Sequence, residues 1–195
     1  MIEYFDKRAP AYLERSRKGI WSRFRRKEFD AVVRALSPRH GQSLLELGCG
    51  VGFYSMRLRD EFGLRVVAVD ISSSMSMEAA RSGIEVWNGP ASEFPAGRKF
   101  DLVLAAGLLE FVKDADSVFK KAAEVTAPGG KLVLLIPPAN TFGYFYRKSH
   151  EWQGCPVFLR SPAEYVGLGK THGFEVIRSI RSTPISTCLE FRSRR

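Results

Sequence analysis

The chain lacks several features that would narrow its class at once. Only three of its 195 residues are cysteines, Cys49, Cys155 and Cys188, and their separation fits neither a disulfide framework nor a metal-binding motif. No apolar run approaches the roughly 18 residues of a membrane span, and the opening stretch MIEYFDKR has no apolar signal-peptide core. The sequence therefore predicts a reduced, cytoplasmic protein with no membrane span and no bound metal.

Basic residues outnumber acidic ones. Thirty lysines and arginines against 21 aspartates and glutamates give a formal net charge of +9, which favours anionic partners in general without naming one. Hydrophobic residues make up 45% of the chain and charged residues 26%, as is typical of a globular protein large enough to bury a full core. We therefore expect a single domain over residues 1–195.

The most informative stretch is residues 43–52, SLLELGCGVG. A short apolar strand is followed by three glycines at alternate positions, Gly48, Gly50 and Gly52, and then by a predicted helix. Glycine reaches positive φ and lets a ligand approach the backbone closely, and a helix N-terminus directs unpaired N–H groups at that ligand. This order predicts a site for a nucleoside-like cofactor, and a tight turn without a ligand is the alternative.

The glycine spacing separates the cofactor classes. The dinucleotide fingerprint G-x-G-x-x-G is not met because position 53 is Phe, and a P-loop needs a lysine that does not follow Gly52. The string ELGCGVG instead resembles motif I of the class I S-adenosylmethionine-dependent methyltransferases. The resemblance covers about residues 40–136, where DISSSMSMEAARSG, FDLVLAAGLLEFV and APGGKLVLLIP are similar to the family's later motifs.

The resemblance implies S-adenosyl-L-methionine as the cofactor. Asp70, at the end of RVVAVD, would accept the two ribose hydroxyls; its alternative role is to cap the next helix, although Ser72–Ser74 can do that equally well. Family members often carry an Asp after the third strand that binds the adenine amino group, and Pro90 stands there instead. Adenine would then be contacted by Asn88, by Ser92 or by the backbone of Ala91. The predicted cofactor-binding residues are Tyr12, Glu46, Gly48, Cys49, Gly50, Gly52, Asp70, Ile71, Met75, Ala91, Ser92 and Ala105.

Apolar periodicity predicts alternating strands and helices. We expect strands at 43–47, 65–70, 84–88, 100–106, 131–136, 174–180 and 186–192, and helices at 10–17, 20–36, 52–61, 73–81, 115–126 and 162–172. The turn around Pro184 is too short for a parallel crossover, so the last two strands must form an antiparallel hairpin. The predicted fold is α/β, a doubly wound, Rossmann-like seven-stranded sheet with helices on both faces.

Two segments outside the core of the resemblance are expected on the substrate side. Residues 137–160 are rich in aromatic side chains and follow the fifth strand, where they form either the wall of a substrate pocket or an ordinary cover for the sheet. Residues 1–40 are expected to form a helical lid in which Tyr4 and Tyr12 face the cofactor; a frayed terminus is the alternative. Residues 41–136 would form the cofactor-binding core and 161–195 the last helix and hairpin. The catalytic residue is not identified, and the candidates are His150, Glu110 and Tyr146.

The sequence thus predicts a methyltransferase that uses S-adenosylmethionine to methylate a small molecule by in-line displacement. Eight basic residues between Arg8 and Lys27 form either a solvated helix face or a site for anions or a membrane surface, so an anionic substrate is one alternative. An RNA methyltransferase is another, but AAGLLEF stands where enzymes that methylate base amino groups carry N/D-P-P-aromatic, so nucleic acid is not the expected partner. A cofactor-binding module that serves a partner is the third.

Overall fold

The computed structural model describes residues 1–9 and 19–195. The helix predicted at 10–17 and the candidate residue Tyr12 lie outside them. The strands are β1 (Ser43–Leu47), β2 (Arg65–Asp70), β3 (Glu85–Asn88), β4 (Phe100–Ala106), β5 (Thr126–Ile136), β6 (Phe174–Thr183) and β7 (Ser186–Ser193). The helices are α1 (Ile2–Asp6), α2 (Gly19–Leu36), α3 (Phe53–Phe62), α4 (Ser73–Arg81), α5 (Ala115–Val125), α6 (Thr141–Trp152) and α7 (Pro162–Thr171), with short 3₁₀ turns at Ala91–Glu93 and Leu109–Phe111.

The seven strands form one sheet in the order β3-β2-β1-β4-β5-β7-β6. Strands β1 to β5 pair in parallel, so that Leu45 of β1 lies opposite Val67 of β2 and Val103 of β4. Strand β7 lies between β5 and β6 and is antiparallel to both. The predicted Rossmann-like fold with a terminal antiparallel hairpin is confirmed.

Each face of the sheet has its own core, because the parallel strands are apolar on both faces. Val103 and Ala105 of β4 pack with α5 and α7 on one face, where Phe119 and Tyr165 are 1% exposed. The alternate β4 residues, Leu102 and Leu104, pack with α2 and α3 on the other face. In the described part of the chain, no helix is long and apolar enough to cross a bilayer.

The structure differs from the sequence-based expectation at three places. The N-terminal segment is already helical at Ile2–Asp6, ahead of the expected helix. The connection 137–160 contains helix α6, whose N-terminus is capped by Asn140 through a 3.2 Å bond from the Gly143 N–H. Strand β5 begins five residues early, at Thr126, because the APGG stretch continues the strand through a shift in its register with β4.

A buried carboxylate fastens α2 to the terminal hairpin. Glu190 of β7 is 2% exposed, and its carboxylate pairs with Lys131 of β5 at 2.8 Å and with Arg178 of β6. The same two cations donate to the carbonyl oxygens of Ala35 and Arg34, respectively, in the last turn of α2. Cations at a helix C-terminus also interact favourably with the negative end of the helix dipole. This network therefore holds the end of α2 against the sheet.

Replacing Glu190 with alanine should lower the free energy of unfolding by about 2 kcal/mol, because two cations that hold α2 lose their shared anion. Urea unfolding followed by circular dichroism measures the change. Glu175→Ala removes an exposed carboxylate from the neighbouring strand and is the matched control. Equal, small effects of the two substitutions would contradict this role of Glu190.

Candidate functional site

A cleft of about 1500 Å³ opens at the carboxyl ends of the parallel strands. The glycine loop between β1 and α3 forms one end, and the residues after β4 together with α6 form the other. Helix α1 and the N-terminal half of α2 complete the wall. Ligands of open α/β sheets bind at this edge, where the order of the strands reverses.

The glycine loop leaves room for a ligand against its backbone. Gly48 and Gly50 have φ of 73° and 54°, in the left-handed region that favours glycine. An added Cβ at Gly48 would lie 2.8 Å from the Leu108 side chain, whereas one at Gly50 would meet nothing within 4 Å. Because Gly50 lines the cleft, the absence of a side chain there keeps the backbone accessible from the cleft.

Asp70 joins the glycine loop to the next helix. Its Oδ2 accepts the N–H of Gly50 at 2.7 Å and its Oδ1 accepts the N–H of Ser72 at 2.9 Å. The cap of α4 is Ser72, whose hydroxyl accepts the N–H of Met75 at 3.1 Å, so capping is not the role of Asp70. Burial raises the pKa of Asp70. A carboxylate accepts up to about four hydrogen bonds, so it retains capacity for a ligand.

The N-terminal helix is attached directly above this point. Oδ1 of Asp6 accepts the hydroxyl of Ser72 at 2.5 Å and the N–H of Ser74 at 3.3 Å, and the bond from Ser72 lowers the pKa of Asp6. Tyr4 and Arg8 line the cleft, and the Arg8 guanidinium lies 3.6 Å from the centre of the Tyr4 ring. The side chain of Tyr4 is thus on the cleft, whereas closure of α1 over a ligand stays a prediction.

Glu110 is a buried carboxyl group at the opposite end of the cleft. It is 3% exposed, its Oε1 lies 3.5 Å from the Tyr146 hydroxyl, and its Oε2 has no hydrogen-bond partner in the described chain. Burial raises the pKa of Glu110 to about 7. Its backbone carbonyl accepts the Phe158 N–H at 2.7 Å, and Arg160 donates to the carbonyl of Leu109 at 3.1 Å, so the loop is held in place.

His150 of α6 lies beside this carboxyl group. Its Nδ1 is 2.9 Å from the Tyr146 carbonyl oxygen, which can only accept, so Nδ1 carries the proton and Nε2 of the neutral ring is an acceptor. Burial lowers the pKa of His150 and favours that neutral ring. The rings of Tyr146, Phe111 and Tyr4 surround it with centroids 4.2, 5.6 and 5.9 Å away. The structure brings the three catalytic candidates together.

Glu46 is a second buried carboxyl group on the cleft. It is 1% exposed and accepts a hydrogen bond from the hydroxyl of Ser55. The pKa of Glu46 is raised to about 8, mainly by burial, and the charge of Asp70 contributes to this rise. Ionised carboxylates at both positions would repel each other, so Glu46 is held close to neutral at physiological pH.

Most of the predicted cofactor-binding residues meet at the cleft. Those that line it are Glu46, Gly48, Cys49, Gly50, Asp70, Ile71, Met75 and Ser92. Gly52 is instead the N-cap residue of α3, and Ala91 is half-buried and packs against the core. Ala105 is 1% exposed in the core, and the cleft residue is its neighbour Ala106, because successive strand residues face opposite sides.

Two further residues reach the cleft from elements that the sequence did not connect with it. Arg25 and Glu28 of α2 line the wall, and burial raises the pKa of Glu28. The helical spacing of the sequence places both residues on a helix, but it does not show that this helix borders the cleft.

Asn88, a predicted adenine contact, holds neighbouring elements together in this structure. Its side-chain amide donates to the Asp70 carbonyl at 2.9 Å and to the Ser76 hydroxyl at 3.2 Å, so both of its N–H donors already have partners.

The strand order, the antiparallel hairpin and the cleft above a glycine loop define the class I methyltransferase fold. Residues 45–134 match the family model described as a methyltransferase domain. Over this segment the chain is similar to the methyltransferase-domain family, in agreement with the predicted class I methyltransferase.

Known proteins resemble the chain over different lengths. A ubiquinone biosynthesis O-methyltransferase from Azorhizobium caulinodans is 30% identical over 77% of this chain and 65% of its own length. Phosphoethanolamine N-methyltransferase 1 from Zea mays is 29% identical over 55% of this chain and 22% of its own. The chain thus spans 65% and 22% of these relatives. The solved magnesium protoporphyrin IX methyltransferase from Synechocystis, with bound SAH, has the same fold, with a TM-score of 0.78, 19% identity and coverage of 98% and 97% of the two chains.

The buried state of Glu110 predicts a pH-dependent stability. Because its pKa is raised from 4.5 to about 7 on folding, the folded chain binds this proton more tightly than the unfolded chain. The free energy of unfolding should therefore decrease as the pH rises through that interval. In Glu110→Gln this decrease should be smaller by roughly 3 kcal/mol, because the ionisable group is absent. Urea unfolding at several pH values measures it, with the exposed Glu93→Gln as control. Parallel pH profiles for Glu110→Gln and the wild type would contradict the burial effect.

Proposed function

We propose that the chain is an S-adenosylmethionine-dependent methyltransferase that methylates a small acceptor molecule. The observation that carries this proposal is one continuous cleft with the glycine loop and Asp70 at one end and Glu110 and His150 at the other. The family of residues 45–134 supplies the reaction class. The cleft has room for a cofactor and an acceptor together, since pockets for a single ligand measure about 300–1,000 Å³.

The residues at the glycine-loop end fit the cofactor. Asp70 would accept the ribose hydroxyls, and the backbone at Gly48 and Gly50 would lie against the methionine part. Pro90 and Ser92 line the far wall, where adenine would lie. The bound cofactor supplies a methyl group on a sulfonium, which is already activated.

The residues at the other end suit an acceptor that loses a proton. The pKa of Glu110, raised to about 7, makes its carboxylate a base of suitable strength near neutral pH. Oε2 of Glu110 would take the proton from an acceptor hydroxyl or amine, and Tyr146 would hold the carboxylate through Oε1. Nε2 of His150 is the alternative base. Arg8 and Arg25 also line this cleft, which supports the alternative of an anionic acceptor.

S-adenosylhomocysteine should bind the chain and raise its melting temperature through linkage. Asp70→Asn should weaken that binding about tenfold to a hundredfold, because charge-assisted hydrogen bonds to the ribose are lost. Isothermal calorimetry measures both, with Asp60→Asn, an exposed carboxylate paired with Arg59, as control. Heat from NAD or ATP together with none from S-adenosylhomocysteine would show that the proposed cofactor is wrong.

A screen of small molecules with a radiolabelled methyl donor should yield an acceptor whose kcat/KM rises with pH through about 7 in the wild type, as Glu110 ionises. Glu110→Gln should lower kcat about 10²–10⁴-fold and abolish the rise, while leaving the affinity for S-adenosylhomocysteine unchanged.

Other outcomes of the same experiment discriminate between the alternatives. If His150→Gln shows these effects and Glu110→Gln does not, His150 is the base. Stoichiometric binding of the cofactor without turnover of any acceptor would favour a cofactor-binding module.

A further inference from the structure

Helix α6 exposes four large aromatic side chains to solvent. Phe142 is 57% exposed, Tyr144 47%, Phe145 65% and Trp152 90%. Aromatic side chains contribute most to folding when they are buried, so this concentration on a 12-residue helix is not explained by stability. Contiguous exposed apolar surface of this kind marks an interaction site.

Three of these side chains share one face of the helix. At 3.6 residues per turn, Phe142, Phe145 and Trp152 lie within an arc of about 80°; we call them the aromatic stripe. The opposite side of α6 is turned inward, where Gly143 is buried and His150 is half-buried.

The aromatic stripe is continuous with the mouth of the cleft. Phe142 belongs to the stripe and also lines the cleft, as does Ser149, which lies on the same face. Helix α1 adjoins α6 through the contact of Tyr4 with His150 at 5.9 Å, and its N-terminal Met1 and Ile2 are each 43% exposed. The exposed apolar surface therefore extends across two neighbouring elements at the entrance to the site.

One basic side chain of α6, Lys148, borders the stripe, and a second, Arg147, lies on the other side of the helix. Lys148 and Arg147 are 54% and 36% exposed, and both approach the Tyr144 ring, at 5.8 and 5.4 Å. Glu151 pairs with each of them, at 3.2 and 3.7 Å, so these three side chains leave one excess positive charge on the helix as a whole. At α1, the exposed cation Lys7 is matched by the exposed anion Glu3, whereas the whole chain carries +9.

We propose that this face of α6 docks on the surface of an anionic phospholipid bilayer. Aromatic side chains prefer the membrane interface, and lysine and arginine are attracted to anionic headgroups. The net charge of +9 favours such a surface over a second copy of this chain, which would bring two strongly positive molecules together. Docking goes beyond the proposed function and does not depend on it. Combined with that function, it opens the cleft towards acceptors that are held in the bilayer.

Vesicle sedimentation tests the proposal without cofactor or acceptor. The full chain should bind phosphatidylcholine vesicles that contain phosphatidylserine, and should bind pure phosphatidylcholine vesicles more weakly. The double variant Phe145→Ser, Trp152→Ser should bind the anionic vesicles at least about tenfold more weakly, because it lacks most of the apolar area that would be buried in the bilayer. Lys148→Glu should weaken binding to anionic vesicles only.

A matched control separates a specific face from general surface hydrophobicity. Met77→Ser replaces a side chain that is 54% exposed on α4 and should bind as the wild type does. Unchanged S-adenosylhomocysteine affinity and melting temperature would show that the double variant is folded. Wild-type binding by the double variant would overturn the proposal, as would the absence of binding to either vesicle. A dimer that dissociates on Phe145→Ser, Trp152→Ser would also overturn it, and would assign the stripe to self-association. None of these outcomes bears on methyl transfer, which is assayed separately.

Discussion

Two backbone N–H groups from different segments, those of Gly50 and Ser72, donate to the carboxylate of Asp70 at the end of β2. Parallel pairing of β1 with β2 brings these segments to one edge of the sheet, and the carboxylate then sets the distance between the glycine loop and α4. Without it, two donors near the cleft floor would lose their partners, at a cost comparable to two hydrogen bonds. Ser72 continues the chain of contacts to Asp6, so the placement of α1 above the cleft also depends on Asp70.

Two buried carboxyl groups of the cleft, Glu46 and Glu110, have hydroxyl groups rather than cations as their hydrogen-bond partners. Glu46 and Glu110 are as buried as Glu190, yet Glu190 is paired with Lys131 and Arg178, whereas the charge of Arg25 has only a minor effect on the pKa of Glu46 and of Glu110. A buried carboxyl group without a cation is held neutral through a raised pKa and costs stability once it ionises. Groups with perturbed pKa values that gather in a cleft are typical of functional sites. The destabilising carboxyl groups lie in the cleft, where the proposed chemistry takes place, whereas the buried carboxylate of the hairpin is neutralised by two cations.

Much of the fold could be predicted because the signals for it are local. The apolar runs of the parallel strands, the alternating glycines and the short turn at Pro184 predict the sheet and its hairpin, and the resemblance to the methyltransferases rests on the same stretches of sequence. Finer placements depend on tertiary context and could not be read from the sequence. The pattern of β4 does not show whether Ala105 or Ala106 faces the cleft, because a one-residue difference reverses the face of a strand. The contribution of α2 to the cleft was missed because Arg25 and Glu28 reach it only through the packing of α2 on the sheet.

Helix α6 could not be predicted from the sequence because its pattern of buried and exposed residues is the reverse of that of an ordinary helix. The periodicity rule expects apolar side chains on the buried face of a helix, but α6 turns His150 inward and Phe145 and Trp152 outward. A local sequence that contradicts its own burial pattern is expected at functional positions, since packing alone would not select it. The inward face of α6 supplies Tyr146 and His150 to the cleft, and its outward face carries the stripe. One helix therefore carries both the catalytic candidates and the exposed stripe, and its sequence serves these two faces rather than the packing of the core.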